Sequence, residues 1–289
     1  MNTKDIHLIY DAQYGIEYNN RFHDYDEWII RTDAHTKIIE NLHANVVKDT
    51  PVRWLDVACG TGYLLSRFPD SERVGLDLSP GMIVQARKQN PTVTIIEGNY
   101  LNTNAFEKGS FDVISETGWG HTYVDSFEQW DVMVKNFHGW LNENGSCFIT
   151  LATLNNVYRW AGKKAPKLPY FVGQDFGGGQ IRISGFEWTW KEGGGYFHRM
   201  RVPNPKEFKE LFDRYFDEVH LVQYPPDFLG IIGFKQKQDP AVIEQIIADM
   251  KKLNKETTEA KPESVDKSLS FRKFLSKVKY FVKYKVSQW

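Results

Sequence analysis

Apolar and polar residues alternate with two different periods along the first half of the chain. Short apolar runs bounded by turn residues predict buried strands near 52–57, 73–77, 92–97, 111–115 and 146–152. Apolar residues at helical spacing lie between these runs and predict helices near 63–68, 80–89 and 126–141. This alternation of strands and helices predicts a doubly wound α/β fold, in which helices cover a mostly parallel sheet.

A longer helical pattern precedes the first of these strands. Between residues 24 and 48, one stripe of the predicted helix is apolar and contains Ile29, Ile30, Ile38, Ile39, Leu42 and Val46. We expect this helix to pack beside the sheet, as part of an N-terminal helical cap over residues 1–50.

The pattern changes after the fifth predicted strand. Residues 155–203 are rich in glycine and aromatic residues, and "IRISGFEWTWKEGGGYFHRMRV" alternates as a β-hairpin does. We expect an insertion that lies over the mouth of the sheet as a lid. The next segment, "NPKEFKELFDRYF", predicts a helix that begins near Asn204 and Pro205. Two further strands in "DEVHLVQYPPDFLGIIGFKQK" bring the sheet to seven strands and end the main domain, 51–238.

Residues 239–289 predict a helix, a polar linker and a basic amphipathic tail. The linker, 254–267, contains little that can be buried. In the tail, 268–289, one face of the predicted helix is aromatic and aliphatic while the opposite face is basic. Such a helix suits an anionic membrane surface, and it equally suits packing on the protein's own body or on a second subunit in a homodimer.

Composition and charge narrow the class of protein. The chain has 289 residues, of which 41% are hydrophobic, and can bury one large core with a small appendage. Its two cysteines, Cys59 and Cys147, indicate neither a disulfide framework nor a cysteine-based metal site. Residues 267–289 hold seven Lys or Arg and no acid, which leaves 29 basic against 37 acidic residues, or −8, elsewhere. A mildly acidic body argues against a nucleic-acid substrate. The cysteines indicate a reducing and hence cytoplasmic compartment, and since the first residues lack the apolar run of a signal peptide, we expect a protein that is peripheral to a membrane at most.

A glycine-rich turn follows the first predicted strand in "VRWLDVACGTGYLL", residues 52–65. Gly60 and Gly62 can take positive φ and carry no Cβ to keep a ligand from the backbone. A dinucleotide fold has a third glycine where this chain has Leu65, which discounts the alternative of a nucleotide-dependent dehydrogenase. Asp56 puts a carboxylate at the strand end, where it suits an ammonium group better than a phosphate. The turn therefore predicts a nucleotide-like cofactor with positive charge and no phosphates.

Five segments resemble the class I S-adenosylmethionine-dependent methyltransferase family: "LDVACGTG", "RVGLDLSPGMIVQARKQ", "VTIIEGNYLN", "FDVISETGWGH" and "HGWLNENGSCFIT". The resemblance covers residues 50–155 closely and 200–237 loosely. It implies a Rossmann-like methyltransferase fold with S-adenosyl-L-methionine as the cofactor. The residues that we expect to bind this cofactor are Tyr14, Asp56, Ala58, Gly60, Gly62, Asp77, Leu78, Met82, Asn99, Tyr100 and Glu116.

The ends of the second and third strands carry the residues expected to hold the nucleoside. Asp77, fifteen positions after Gly62, can accept hydrogen bonds from both ribose hydroxyls, which is the role of this position in the family; the alternative is an exposed turn aspartate. Asn99 stands where relatives have an acid, and its amide oxygen can accept from the adenine amino group or serve only the turn. Tyr100 can offer its backbone N–H to the adenine ring. Met82 can pack on the adenosine or belong to the core.

The segment after the fourth strand, "SETGWGHTYV", is where the family presents groups to the methionine arm and the acceptor. Glu116 and Thr117 are candidates for these contacts. His121 is the first candidate for the general base, because a neutral imidazole can take the proton of an attacking hydroxyl at neutral pH. The alternative for this histidine is a hydrogen bond to a loop carbonyl. Further candidates for the base, in order, are His198, Glu187 and Asp175.

Two aromatic groups can close the site and exclude water while the methyl group is transferred. The first group recurs at helical spacing near the N-terminus and consists of Tyr10, Tyr14 and Tyr18. The second lies in the predicted insertion and consists of Tyr170, Phe171, Trp188 and Trp190, which equally suit the packing face of a hairpin.

The residues leave the acceptor of the methyl group open. We predict transfer to a small molecule or glycan, with oxygen favoured slightly over nitrogen. An enzyme that methylates amino groups of nucleic-acid bases would carry Asn/Asp-Pro-Pro-Tyr/Phe after the fourth strand, where this chain has "SETGW". A non-catalytic protein that binds S-adenosylmethionine and regulates a partner is the remaining alternative.

Overall fold

Two β-sheets and six α-helices make up the part of the protein that this computed structural model describes, which comprises residues 10, 12–22, 26–46, 51–153, 156, 170–176, 181–191 and 197–259. The strands are β1 Arg53–Val57, β2 Glu72–Asp77, β3 Thr94–Glu97, β4 Phe111–Glu116, β5 Leu141–Leu151, β6 Tyr170–Phe176, β7 Ile181–Lys191, β8 Phe197–Pro203, β9 Glu218–Tyr224 and β10 Phe228–Phe234. The helices are α1 Ala12–Phe22, α2 Asp26–Ala44, α3 Pro80–Gln89, α4 Glu128–Trp140, α5 Pro205–Phe212 and α6 Pro240–Glu259.

The larger sheet has seven strands in the order β3-β2-β1-β4-β5-β10-β9. Strands β1 to β5 pair in parallel, whereas β10 runs antiparallel to its neighbours β5 and β9. The predicted seven-stranded, mostly parallel sheet is thereby confirmed. Because the chain leaves β1 and moves first to one side and then to the other, the ends of β1 and β4 lie at the point where the strand order reverses. Such a point is where α/β sheets bind ligands.

Both faces of this sheet are buried, as a parallel sheet requires. Successive residues of β1 show this directly, because Trp54 packs in the core on one face and Leu55 in the core on the other. Residues of α2, α3 and α6 complete the first core, and residues of α4 and α5 complete the second. The fold therefore has three layers, with helices on both faces of the sheet.

The predicted N-terminal stripe is correct only in its second half. Ile38, Ile39 and Leu42 are buried, but Ile29 is 41% exposed. The first turn of α2 therefore does not share the face that packs on the sheet.

Two predicted boundaries also differ from the structure. The helix predicted over 63–68 is only a 3₁₀ turn at Leu65–Arg67, because Pro69 disfavours helical backbone at Phe68 and stops the helix. Strand β5 begins at Leu141, earlier than predicted, since the chain enters the strand directly after α4.

The N-terminal helix α1 packs directly on α3. A Cβ on Gly15 would lie 2.8 Å from the carbonyl oxygen of Gly81, so the two backbones approach as closely as they can only because Gly15 has no side chain. Thr61 Oγ1 also donates to Asn19 Oδ1 at 2.6 Å, which joins α1 to the glycine-rich turn after β1. The N-terminal helix is thus fixed beside the carboxyl end of the sheet.

The smaller sheet is antiparallel, in the order β6-β7-β8. The predicted hairpin corresponds to β7 and β8, and β6 adds a third strand that was not predicted. Glu187 on β7 is 4% exposed and accepts from Arg199 Nη2 at 2.5 Å and from Arg201 Nε at 3.1 Å. Arg201 Nη1 also donates to the carbonyl oxygen of Val124 at 3.3 Å, which attaches this sheet to the segment after β4.

The C-terminal part of the chain is described only as far as helix α6. This helix runs to Glu259, so the first residues of the predicted polar linker are helical. The predicted basic tail, 268–289, lies outside the described residues, and with it the prediction of a helical tail. The chain divides into two units, Met1–Lys255 and Glu256–Trp289. Among the helices that are described, none is both long and apolar enough to span a bilayer.

Candidate functional site

A cleft opens at the carboxyl ends of the four adjacent strands β3, β2, β1 and β4. Each strand is followed by a loop that contributes to the cleft wall, and two residues from the N-terminal segment complete it. The lining residues are Tyr10, Tyr18, Ala58, Gly60, Leu76, Asp77, Leu78, Met82, Asn99, Tyr100, Gly118, Gly120 and Tyr123. Neighbouring strands are about 4.8 Å apart, so the four strand ends beneath the cleft span about 14 Å.

The two glycines of the turn after β1 have different tasks. Gly60 has φ of +56°, and a Cβ built on it would meet no atom within 4 Å, because this position faces the open cleft. Gly62 has φ of +73°, but a Cβ there would lie 2.6 Å from Asn90 Nδ2 and 3.2 Å from the Cβ of Ala86. Gly60 therefore leaves room for a ligand, whereas Gly62 lets the turn pack on α3.

Asp77 stands at the end of β2 and faces the same turn. Its Oδ2 accepts from the backbone N–H of Gly60 at 2.8 Å, and its Oδ1 accepts from the backbone N–H of Ser79 at 2.8 Å. Burial raises the pKa of Asp77, while hydrogen bonds from the backbone N–H groups of Ser79, Gly60 and Leu78 act against this rise. The carboxyl group is held in a fixed orientation at the cleft wall, where its remaining lone pairs can accept hydroxyl groups.

The adenine end of the predicted site lies after β3. Asn99 Oδ1 accepts from the backbone N–H of Leu101 at 2.9 Å, so the amide oxygen stabilises a turn and retains one lone pair for a ligand. Tyr100 follows in the cleft wall, and its hydroxyl donates to the carbonyl oxygen of Gly120 at 3.1 Å. Across from them, Met82 lies in the first turn of α3, which Ser79 caps by accepting from the N–H of Met82 at 3.4 Å. The three residues predicted to contact the adenosine, Met82, Asn99 and Tyr100, therefore line the same end of the cleft.

Asp56 and Ala58 occupy different depths of the turn after β1. Ala58 lines the cleft with φ of +51°, a left-handed conformation that glycine would adopt more easily. Asp56 is 2% exposed and accepts from Ser115 Oγ at 2.7 Å, and Ser115 accepts in turn from Trp54 Nε1 at 3.0 Å. Burial raises the pKa of Asp56 to about 7, although the hydrogen bond from Ser115 lowers it. The structure thus places Asp56 in a buried hydrogen-bond network rather than in the cleft lining.

Glu116 and His121 are also placed behind the cleft wall. Both side chains are completely buried, and His121 Nδ1 lies 2.6 Å from Glu116 Oε2. Glu116 Oε1 accepts from the backbone N–H of Gly120 at 2.6 Å. The prediction that His121 acts as the general base does not fit this position, because an acceptor in the cleft cannot reach an imidazole enclosed by the core.

The tyrosines that line the cleft differ from the one that was predicted. Tyr10 and Tyr18 face the cleft, whereas Tyr14 contacts both of their rings, with centroids 5.1 Å and 6.0 Å away. The hydroxyl groups of Tyr10 and Tyr123 form a hydrogen bond, with their oxygens 2.7 Å apart. Burial raises the pKa of Tyr18 to about 12 and that of Tyr10 well above its usual value, so both phenols stay protonated at neutral pH.

Four lining residues are not among those predicted from the sequence: Leu76, Gly118, Gly120 and Tyr123. The glycine pair of "TGWGH" was the available signal for two of them, since small residues after a strand end mark a close approach to a ligand. Of the other candidate bases, His198 and Asp175 lie on β8 and β6, but their side chains are outside the described residues. Glu187 is held by two arginines, as described above, and this fits a structural role.

The charge of the cleft fits the predicted cofactor. Among the described residues that line it, none is Lys or Arg, and Asp77 contributes a carboxyl group. A dinucleotide would bring a pyrophosphate, for which Lys or Arg are the common partners. S-adenosylmethionine brings a sulfonium and no phosphate, and its adenosine could lie over β3 and β2 with its methionine arm over β1 and β4.

Comparisons with known proteins agree with this assignment. Residues 55–145 match a family described as "Methyltransferase domain". The demethylmenaquinone methyltransferase of Chlorobaculum tepidum is 38% identical over 98 residues, which are 33% of this chain and 38% of that protein. The trans-aconitate 2-methyltransferase of Methylobacterium nodulans is 32% identical over 85 residues, which are 28% of this chain and 33% of that protein. The chain therefore matches these curated relatives over less than two fifths of their length.

Solved structures share the fold over a longer part of the chain. DesVI from Streptomyces venezuelae has a TM-score of 0.54 and 16% identity, and the match covers 77% of this chain and 98% of that chain. CalS10 from Micromonospora echinaspora is an amino pentose methyltransferase solved with S-adenosylmethionine bound. It has a TM-score of 0.53 and 16% identity, and the match covers 76% of this chain and 96% of that chain. At 16% identity these structures show a shared fold, and the match over residues 55–145 identifies that part of the chain as a methyltransferase domain.

Proposed function

We propose that this protein transfers a methyl group from S-adenosylmethionine to a small-molecule acceptor. The observation that carries the proposal is the pairing of Asp77 with the open glycine position. The carboxyl group of Asp77 is fixed by backbone N–H groups beside Gly60, and Gly60 leaves free space where a side chain would stand. A carboxylate next to bare backbone suits a ribose diol, because it accepts both hydroxyls while the sugar lies against the turn.

The sulfonium of the cofactor already activates the methyl group, so the protein's task is to orient the reactants and exclude water. In this proposal Tyr10, Tyr18 and Tyr123 form part of the wall around the cofactor. Their rings offer negative faces to a sulfonium, and their protonated hydroxyls can donate to the acceptor. The predicted lid, 155–203, would cover the acceptor from the other side.

The test of the cofactor assignment is calorimetry of S-adenosylhomocysteine binding to the Asp77→Asn and Asp77→Ala variants. Loss of a hydrogen bond to a charged acceptor weakens affinity about 10-fold to 100-fold. Asp249→Asn is the matched control, because that carboxylate also accepts a hydrogen bond, from Asn41 Nδ2, but does so on α6, which does not line the cleft. Unchanged affinity in both Asp77 variants, or tighter binding of NAD than of S-adenosylhomocysteine by the unsubstituted chain, would contradict the proposal.

For the acceptor, we propose a small molecule or glycan, with an oxygen nucleophile in preference to nitrogen. The acidic charge of the chain outside its tail and relatives named for demethylmenaquinone, trans-aconitate and an amino pentose support a small-molecule or glycan acceptor, and the preference for oxygen is left to the experiment. The experiment is a screen of carboxylic acids, phenols, amino sugars and glycan extracts with methyl-labelled cofactor. A label found only on nitrogen contradicts the preference for oxygen, and no transfer to any class favours the non-catalytic regulator.

We also propose that residues 268–289 bind an anionic membrane surface. The support is the sequence alone: apolar residues at helical spacing on one face and basic residues on the other, each worth about 1 kcal/mol near anionic lipid. Full-length chain should sediment with vesicles that contain anionic lipid, and a chain ending at Asp266 should not. Equal sedimentation of both would contradict the proposal, and a dimer that is lost on truncation would assign the tail to a subunit contact.

A further inference from the structure

Glu116 and His121 form a buried pair directly under the loop that follows β4. Each oxygen of Glu116 has one partner: Oε1 accepts from the backbone N–H of Gly120, and Oε2 lies 2.6 Å from His121 Nδ1. With Glu116 ionised, Nδ1 is the donor in this contact, because a carboxylate only accepts. The backbone of His121 is also held, since its carbonyl oxygen accepts from Trp130 Nε1 at 2.7 Å. The pair therefore joins the end of β4, the loop and α4.

The imidazole of His121 is enclosed on its other side. Among the residues that the structure describes, no group hydrogen-bonds to Nε2, and this atom is buried. The ring packs against Phe208 of α5, with centroids 5.8 Å apart. An acceptor hydroxyl in the cleft thus finds neither nitrogen accessible, so the hydrogen bond to Glu116 is the chemistry that remains for this side chain.

The pair holds the loop after β4, residues 118–120, whose position is already restricted by its neighbours. A Cβ on Gly120 would lie 2.5 Å from the Cβ of Ala58, so the loop backbone rests directly on the turn after β1. The carbonyl oxygen of Gly120 accepts from the hydroxyl of Tyr100, and Trp119 between the two glycines has a left-handed backbone with φ of +62°. Such a backbone persists only where its surroundings fix it. Glu116 supplies this constraint through the N–H of Gly120.

We infer that Glu116 and His121 are positioning residues for the methionine arm of the cofactor. The inference rests on the proposed function. In the strand order β3-β2-β1-β4, the loop with Gly118 and Gly120 follows β4, whereas Asn99 follows β3, three strands away. The adenosine contacts Asp77 and Asn99 in this arrangement, and the amino-acid arm lies against the loop that the pair holds.

The test compares two ligands in two variants of His121. S-adenosylhomocysteine contains both the nucleoside and the amino-acid arm, whereas 5′-methylthioadenosine contains the nucleoside without that arm. His121→Asn keeps a donor at the position of Nδ1 and removes the rest of the imidazole, and His121→Leu removes the donor. His43→Leu is the matched control, because His43 also has a buried Nε2 without a hydrogen-bond partner in the described structure and one contact through Nδ1, to Ser71 Oγ at 3.3 Å, away from the cleft.

We expect His121→Leu to weaken S-adenosylhomocysteine binding by at most about 10-fold to 100-fold, the limit set by the lost hydrogen bond that fixes the loop, and to change methylthioadenosine binding less than about threefold. His121→Asn should restore the affinity for S-adenosylhomocysteine, and His43→Leu should leave both affinities unchanged. Equal weakening of both ligands in His121→Leu, or no restoration by His121→Asn, would overturn the inference. If the unsubstituted chain binds neither ligand, the proposed function fails and the inference fails with it, so the two failures are distinguishable.

Discussion

Two walls of the cleft are built in opposite ways. The motif wall consists of residues 56–62 and 77–79, of which Asp56 is buried behind the lining, and the tyrosine wall consists of Tyr10, Tyr18 and Tyr123. In the motif wall the key hydrogen bond joins Gly60 to Asp77, which are 17 positions apart in the chain. In the tyrosine wall the hydroxyls of Tyr10 and Tyr123 meet across 113 positions.

The difference is also one of chemistry. The motif wall uses backbone N–H groups and buried carboxyl groups, whose geometry is fixed by one strand–turn–strand unit. The tyrosine wall uses rings and hydroxyls from an N-terminal segment and from the loop after β4, which only the complete fold brings together. Buried carboxyl groups carry a cost of desolvation that rings do not. We therefore expect substitutions in the motif wall to change the free energy of unfolding more than substitutions in the tyrosine wall do.

The largest change in the free energy of unfolding is expected on substitution of Asp56, because burial opposes ionisation of its carboxyl group. The pKa of Asp56 is raised to about 7, so below pH 4 the group is protonated in both the folded and the unfolded chain and has no effect. Between pH 4 and pH 7 the unfolded chain ionises first, and the free energy of unfolding falls as the pH rises. Above pH 7 the loss is complete and amounts to at most about 4 kcal/mol.

Asp56→Asn removes this titration and keeps an acceptor for Ser115 Oγ. We expect the variant to unfold at higher urea concentration than the unsubstituted chain at pH 8, and at the same concentration at pH 4. The comparison at pH 4 is the internal control for changes in packing. An equal difference at both pH values would show that ionisation of Asp56 is not the cause.

The second largest change in stability is expected at the glycines of the motif wall, where Gly62 and Gly60 should differ. Gly62→Ala combines a left-handed backbone with a contact of 2.6 Å to Asn90 Nδ2, and we expect a loss of about 2–4 kcal/mol in the free energy of unfolding. Gly60→Ala has the backbone strain alone, and we expect a loss of about 1–2 kcal/mol.

The order reverses for ligand binding. The methyl group of Gly60→Ala extends into the open cleft, so affinity for S-adenosylhomocysteine should fall at least about tenfold. Urea unfolding and calorimetry on the same two variants check both halves. If Gly60→Ala binds as well as the unsubstituted chain, the ligand does not approach this turn.

The same contrast explains what could be predicted from the sequence. The strand–helix alternation, the open Gly60 and the position of Asp77 depend on spacing within short segments, and the structure places them as predicted. The burial of His121 and the exposure of Ile29 depend on which surfaces meet in the fold, and periodicity does not encode that. Tyr123 could not be paired with Tyr10 for the same reason, although both lie in segments that were singled out.

The smallest response is expected from the hydroxyl pair of the tyrosine wall. Tyr10→Phe and Tyr123→Phe each remove one partner of a partly buried hydrogen bond, and the double variant removes both. Once one hydroxyl is lost, removing the other should cost less, because its partner is already absent. We expect the cycle to give a coupling of about 0.5–1.5 kcal/mol in the free energy of unfolding. Tyr215→Phe is the control: its hydroxyl donates to Asp131, so it should be additive with Tyr10→Phe. A coupling near zero for Tyr10 and Tyr123 would mean that the two segments do not hold each other in solution, and the tyrosine wall would then be formed only when a ligand is bound.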